Sequence, residues 1–487
     1  MDCERRGDVF DRAGDEKDSF RPYQSGLFVG REAELGLVFQ TASGFLAGKT
    51  VSSVIEFTGA SGMGKDWLVD EILYRCRNPV GGEEPYLSGA RVNLKGFSLI
   101  EIRKQILEEL IGQLVIQLPD SESGKAFSES VTLAGFKELI RGMNDSGFLP
   151  VIVLDMQDQA GEGDVDLFEK ELMHPLIRGE ASGLFLSVGN FPHRFKKFDV
   201  RHGVRSFTLG PLLQNDRDDE VGCFLNRRGF EGNRVLAFSL NEICFGHPLI
   251  LEAILAQFPG LNVGWLASSQ GRRAVAGLVR EIIDNEILGD LDGNDDLRSS
   301  IWSASHIRQF SAGSLREMRS VLGENRETGE LELIRTMQNV GLAKWTTDVR
   351  GYVFEPTLRA IMAKNLLMTD PESYQHHQQE AMAVYENWLR TCSERGGSYL
   401  IERTFHHLKV NQAVQFLGGE EVSPGIIIEE MKRGWQILEE NPDAQLSLFD
   451  ITRLFFKLLT EDAELASLLG EPAYEEAIAF ARKNFDY

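Results

Sequence analysis

The chain has 487 residues, 42% of them apolar and 26% charged, with a formal net charge of −23. That length exceeds one ordinary hydrophobic core and predicts about three domains. The negative field repels phosphate backbones and anionic lipid, so bulk nucleic-acid binding is disfavoured unless a local basic patch exists.

Cys3, Cys76, Cys223, Cys244 and Cys392 are far apart and odd in number. They predict free thiols in a reducing compartment rather than a disulfide framework or a zinc knuckle. No apolar run approaches the roughly 20 residues that span a bilayer. The start Met1-Asp-Cys-Glu-Arg-Arg lacks the apolar centre of a signal peptide, so a cytoplasmic location is expected.

Residues 1–25 are charged and without apolar periodicity, which predicts a loose tail. Leu27-Phe-Val-Gly-Arg-Glu-Ala-Glu-Leu35 follows, with helical spacing to Leu46. This piece, with Val29 and Arg31, suits either backbone laid along an adenine or a plain helix start with an acidic first turn.

The run Val54-Ile-Glu-Phe-Thr58 predicts a short strand, and the residues after Lys65 an amphipathic helix through Ile72. Between them lies Gly59-Ala60-Ser61-Gly62-Met63-Gly64-Lys65, the G-x-x-x-x-G-K spacing of a P-loop. Its glycines let successive N–H groups converge on one phosphate, the helix dipole adds positive potential, and Lys65 can reach the β- and γ-phosphates. The next position ordinarily carries Ser or Thr to ligate Mg²⁺; here it is Asp66. A carboxylate can ligate Mg²⁺, yet it sets negative charge beside the phosphates. The loop therefore predicts nucleotide binding, and Asp66 argues against efficient hydrolysis.

Ala90-Arg-Val-Asn-Leu94 reads as a strand and Leu99 to Leu118 as a long helix, with 119–132 a polar insertion. A helix near Leu133–Met143 leads into Leu149-Pro-Val-Ile-Val-Leu-Asp155, a buried strand ending in a carboxylate. Beside a P-loop strand this is the Walker B pattern, with Asp155 next to Mg²⁺ or its water. Asp158 reads as a surface acid or as a water-orienting acid. Asp166–Ile177 reads as a helix and Leu184–Asn190 as a fourth buried strand. At its tip Asn190 reads as a contact for the γ-phosphate or attacking water, or as a plain loop residue, as does Arg194. Ser206–Leu212 reads as a fifth strand. Strands alternating with helices over 50–210 predict a three-layer αβα domain with a parallel sheet.

From Asp216 to Phe258 the period is helical, interrupted at Cys244-Phe-Gly-His-Pro-Leu249, where Gly246 closes one helix and Pro248 opens the next. Leu331–Val340, a hairpin pattern over 341–356 and the helix Thr357–Leu367 read as a winged helix. Its charge from Asp295 to Lys364, 10 Lys and Arg against 9 Asp and Glu, makes no basic stripe. It therefore reads as a packing and regulatory element. From Tyr374 onward everything reads as paired helices, TPR-like but without a clean repeat of about 34 residues. His376-His377 and His406-His407 lack metal-ligand spacing and read as ordinary helix residues.

The order of these motifs resembles the STAND group of signal-transduction ATPases, within the AAA+ and origin-recognition-like P-loop ATPases. The residues that carry the likeness are Phe28-Val-Gly-Arg-Glu32, the loop at 59–66, Leu154-Asp155, Gly189-Asn190, Leu209-Gly-Pro-Leu212, Gly246-His-Pro-Leu249 and Gly351-Tyr-Val-Phe-Glu-Pro-Thr-Leu-Arg359. The resemblance implies Val29 and Arg31 near the adenine, Pro248 clamping the base, and Lys65, Asp155 and Asn190 around the terminal phosphates. It implies ATP or ADP with Mg²⁺ held by Asp66 and Asp155, and a switch in which nucleotide holds the winged helix against the core. Implied units are a tail (1–25), a P-loop core (26–212), a helical lid (213–265), a winged helix (266–368) and a C-terminal helical domain (369–487).

The segment before Phe28 is too short for an effector domain, so the output is expected to be a partner protein bound by the C-terminal helices and winged helix. Two alternatives remain open. One is a pseudo-ATPase scaffold, favoured by Asp66; the other is an AAA+ ATPase acting on DNA, disfavoured by the net charge.

Overall fold

The computed structural model describes residues 23–48, 54–78, 87–93, 102–115, 132–155, 169–174, 182–193, 195–215, 217–230, 234–291, 294–321, 328–347, 351–391, 395–420, 422–441 and 448–485. Asp158 and Arg194 fall outside them, as do most of the polar insertion and the tip of the hairpin.

In the N-terminal half, helices α1 (Glu32–Leu46), α2 (Lys65–Arg77), α3 (Ile102–Val115), α4 (Leu133–Asp145) and α5 (Phe198–Gly203) surround five strands. These are β1 (Val54–Thr58), β2 (Leu87–Asn93), β3 (Leu149–Asp155), β4 (Leu184–Gly189) and β5 (Val204–Thr208), hydrogen-bonded in the order β2-β3-β4-β1-β5 and parallel throughout. Side chains alternate across a strand, so neighbours feed opposite layers. Val151 and Val153 pack with Ile55, Phe57, α1 and α2 on one face. Ile152 and Leu154 pack with Phe185, α3 and α4 on the other. Because β1, β3 and β4 are buried on both faces, they read as largely apolar runs, interrupted by buried Glu56 in β1 and Ser187 in β4. This is a P-loop αβα fold.

Register fixes what meets at the C-terminal edge of the sheet. Thr58 pairs with Gly189 and Thr208, and Asp155 pairs with Asn93 and Val188. The loop after β1, the acid closing β3 and the tip of β4 therefore emerge side by side, where ligands bind in open α/β sheets. The fifth strand begins and ends earlier than the sequence suggested. Past Leu209, whose N–H donates to Thr58 O at 2.6 Å, the chain leaves the sheet, and Leu212 N–H bonds instead to Gly246 O at 2.8 Å. Within the helix predicted at 166–177, the described residues, 169–174, carry a π-helical turn at Glu169–Met173.

Beyond the sheet come α6 (Glu220–Arg227), α7 (Arg234–Cys244), α8 (Pro248–Gln257), α9 (Val263–Ala267) and α10 (Ser269–Ile282). Then α11 (Asp295–Ala304), β6 (Gln309–Phe310), α12 (Ala312–Val321), α13 (Glu330–Asn339), β7 (Ala343–Thr346) and β8 (Gly351–Phe354) build a small antiparallel sheet in the order β6-β8-β7. One apolar core runs through all of these and takes in Ala60 and Met63 of the glycine loop.

The chain ends in helices α14 (Pro356–Thr369), α15 (Pro371–Thr391), α16 (Gly396–Phe416), α17 (Pro424–Glu440), α18 (Leu448–Glu461), α19 (Ala463–Leu469) and α20 (Glu471–Phe485). From Leu389 onward they share a second core. Two buried arginines brace this array: Arg308, just ahead of β6, ties it to the small sheet, and Arg359 joins α14 to α19. Arg308 bonds Glu402 at 2.8 Å and Asp462 at 2.7 Å, and Arg359 pairs with Glu464. No single helix among the described residues is long and apolar enough to cross a membrane.

Candidate functional site

The loop 59–64 turns the end of β1 into the start of α2 through two left-handed glycines, Gly62 at φ +77° and Gly64 at φ +80°. Lys65, the first residue of α2, folds its ammonium back over the loop. Its Nζ donates to Gly59 O at 2.6 Å, Ala60 O at 2.8 Å and Asn190 Oδ1 at 2.8 Å. The lysine is thus held where the loop amides, the positive end of α2 and the tip of β4 converge, a ready site for an anionic oxygen. Asn190 also lies close to the second half of the chain. A methyl group on Gly341, in the turn between α13 and β7, would lie 3.6 Å from Asn190 Cβ and 3.8 Å from Phe191 Cζ.

The corner between α7 and α8 packs directly on the loop. Gly246 adopts φ +70°, and any Cβ there would lie 2.0 Å from Leu212 O. The turn aims His247 inward, where its Nε2–H donates to Ser61 O at 3.1 Å while Leu249 N–H donates to Gly62 O at 3.3 Å. Pro248 opens α8 beside Gly64. His247 is fully buried, and burial holds its imidazole down at about 4, so it is neutral at pH 7. A Cβ on Gly62 would come within 2.5 Å of His247 Cε1 and 2.9 Å of Leu249 Cβ. Gly62→Ala is therefore expected to cost roughly 1–3 kcal/mol through the left-handed backbone and the clash together. A thermal melt checks this; a change below about 0.5 kcal/mol would mean that the corner yields.

Arg31 stands in the left-handed region at φ +66°, just ahead of α1. Its Nη2 donates to Met63 O at 3.0 Å and also to Gly210 O, stapling the leading segment to the loop and to the chain leaving β5. Val29 packs on the core that includes Ala60 and Met63. Val29, Arg31, the loop and Pro248 thus lie together.

The sequence reading placed Mg²⁺ between Asp66 and Asp155. The structure places a guanidinium there. Arg91 of β2 sends Nη2 to both Asp66 Oδ1 and Asp155 Oδ2, and Nη1 lies 3.3 Å from Asp70 Oδ1. The physical reason is proximity. α2 lies against β2, which puts Asp66 and Asp70, one turn apart, over the edge strand from which Arg91 projects. Asp155 is buried, with Asp66 half-exposed above it. Burial pushes the Asp155 carboxyl up and Arg91 draws it back, while the three acids hold Arg91 more firmly charged than a solvated arginine.

Sequence reasoning named neither Arg91 nor His247 as site residues. The available signal for Arg91 was a lone charged residue in a strand, with two acids at helical spacing after the P-loop. Glu56 was missed too. It is buried within β1, accepting from Ser206 Oγ at 2.6 Å and His193 N–H at 2.5 Å, and it ties β5 and the segment after β4 to β1.

No protein-family model matches the sequence, and no curated protein does. Among solved structures, the Aeropyrum pernix ORC2 protein, in ADPNP–ADP complexes, aligns at 15% identity with a TM-score of 0.41, covering 72% of this chain and 99% of that one. A Walker-type ATPase of Pyrococcus abyssi aligns at 12% identity with a TM-score of 0.47, covering 71% and 99%. Cdc6p of Pyrobaculum aerophilum aligns at 13% identity with a TM-score of 0.34, covering 70% and 97%. The fold assignment rests on the strand order and the loop, not on these alignments.

Proposed function

We propose that the chain is a nucleotide-binding regulatory switch of STAND type, in which the loop 59–65 holds ATP or ADP and the second half of the chain senses it. The observation that carries the reading is the line from Lys65 through Asn190 to Gly341. A phosphate drawing on Lys65 competes for the ammonium that Asn190 accepts from, and Asn190 abuts the turn ahead of the β7–β8 hairpin. Nucleotide state is thereby coupled to the small-sheet unit, read as a winged helix, and through it to the C-terminal helices that would hold a partner protein. Val29, Arg31 and Pro248 lie where a base would follow the phosphates. Nucleic acid is the less favoured partner, given the net charge of −23.

A pseudo-ATPase scaffold remains the second reading, favoured by one observation: Arg91 occupies the position of the hydrolytic metal. The test is a thermal melt with ATP and with ADP. A ligand at 100 times its Kd adds about 2.7 kcal/mol. The unmodified chain should gain this stabilisation and Lys65→Ala should gain none. No shift of the unmodified chain with either nucleotide would leave the scaffold reading in place.

A further inference from the structure

We infer that Arg91 is a built-in replacement for the divalent metal, so that the glycine loop takes its nucleoside di- or triphosphate metal-free. Asp66, at the start of α2, and Asp155, at the end of β3, occupy the two positions from which a P-loop protein holds Mg²⁺. In this chain one nitrogen of Arg91 hydrogen-bonds to both carboxylates and the other reaches Asp70. A magnesium ion ligated by those carboxylates would need their oxygens at about 2.0–2.1 Å, in the space the guanidinium occupies. The two cations would also repel at contact distance in a largely buried site. Guanidinium does not deprotonate at any working pH, so the position is permanently filled.

The arginine is also held in place from behind. Gln113 of α3 accepts from Arg91 N–H at 2.8 Å and donates to Arg91 O at 2.8 Å, pinning the edge strand at this residue. Asp66 then has a role that a Ser or Thr would not fill, since it neutralises and orients Arg91. The single change Asp66→Thr accordingly leaves Arg91 bound to Asp155 and Asp70 and restores no metal site. The nucleotide part of this inference rests on the proposed function; the metal part does not.

The experiment is Mn²⁺ titration of the full chain without nucleotide, read by electron paramagnetic resonance. The unmodified chain should show no Mn²⁺ that Asp155→Asn removes. Arg91→Ala and the closer-shaped Arg91→Gln should each gain about one equivalent, lost again on adding Asp155→Asn. ADP affinity of the unmodified chain should agree within about twofold in EDTA and in Mg²⁺, whereas in Arg91→Ala it should rise about tenfold with Mg²⁺. An Asp155-dependent Mn²⁺ site in the unmodified chain, or a tenfold loss of ADP affinity in EDTA, would overturn the inference. Absence of ADP binding under every condition, with the Mn²⁺ results as expected, would instead remove the nucleotide reading and leave Arg91 as the occupant of the metal position.

Discussion

Replacing Arg308 with alanine should destabilise the C-terminal half of the chain by about 3–5 kcal/mol, the cost of stranding a buried charge. Arg308 precedes β6 and is nearly enclosed, with its guanidinium stacked 3.9 Å over the Phe405 ring. It makes two bonds to Glu402, at 2.8 and 3.2 Å, and one to Asp462 at 2.7 Å. Without it Glu402, 1% exposed, would keep its charge without that cation or pick up a proton it does not ordinarily carry. Asp462 suffers less, because it also caps α19 by accepting from Leu465 N–H. The double change Arg308→Met/Glu402→Leu should regain most of the loss, since it removes both charges and keeps the volume. Urea unfolding monitored by tryptophan fluorescence reads both variants. A loss below about 1 kcal/mol for Arg308→Ala would mean that water reaches Glu402.

The second large effect is acid lability between pH 6.5 and 4. Burial holds the His247 imidazole at about 4, against 6.5 when free. It also holds His306 and His406 well below the free value, with cationic Arg308, Arg359 and Lys409 adding to the effect on His406. The amide of Gln378 bridges this pair, donating to His306 Nδ1 at 3.1 Å and accepting from His406 Nδ1 at 2.7 Å. Unfolded histidine takes up a proton near pH 6.5, whereas folded His247 refuses it until about pH 4, and His306 and His406 also resist it well below the free value. The unfolded state therefore binds more protons across that window, and stability falls as the pH falls. Stability from this source is complete above pH 6.5. His247 alone would forfeit about 3 kcal/mol by pH 4, and the pair would add to it. Urea midpoints at pH 7.5, 6.5, 5.5 and 4.5 check this, and His406→Gln should flatten the slope. A midpoint unchanged from pH 7.5 to 5 would show that the imidazoles reach solvent.

Much of the sheet could be read ahead of the structure because β1, β3 and β4 are buried on both faces and bounded by glycine or polar residues. The loop 59–65 was equally legible, its spacing being a local property. What the sequence could not give was adjacency. Asn190 meets Lys65 only because β4 lies beside β1 in a register that sets Gly189 against Thr58. Arg91 meets its three acids only because the edge strand passes under α2. The two-residue β6 has no pattern to detect; it exists because Phe310 and Gln309 pair with Tyr352 and Val353. The fifth strand was misplaced for a related reason: apolar residues continue through Leu212, but their partners change from the sheet to the corner at Gly246.

Helix α15 spans 21 residues without interruption. Ala381, Val384 and Tyr385, in its middle, belong to the core that also holds the glycine loop, while Leu389, one turn further on, belongs to that of the terminal array. At 1.5 Å per residue the rod is about 31 Å long. A tilt of about 10° imposed where it leaves the first core, at Tyr385, would shift Leu389, about 6 Å further on, by about 1 Å, so the two cores are joined through a short, stiff link. A small adjustment in the core around the glycine loop would thus pass to the terminal array across a single turn of helix.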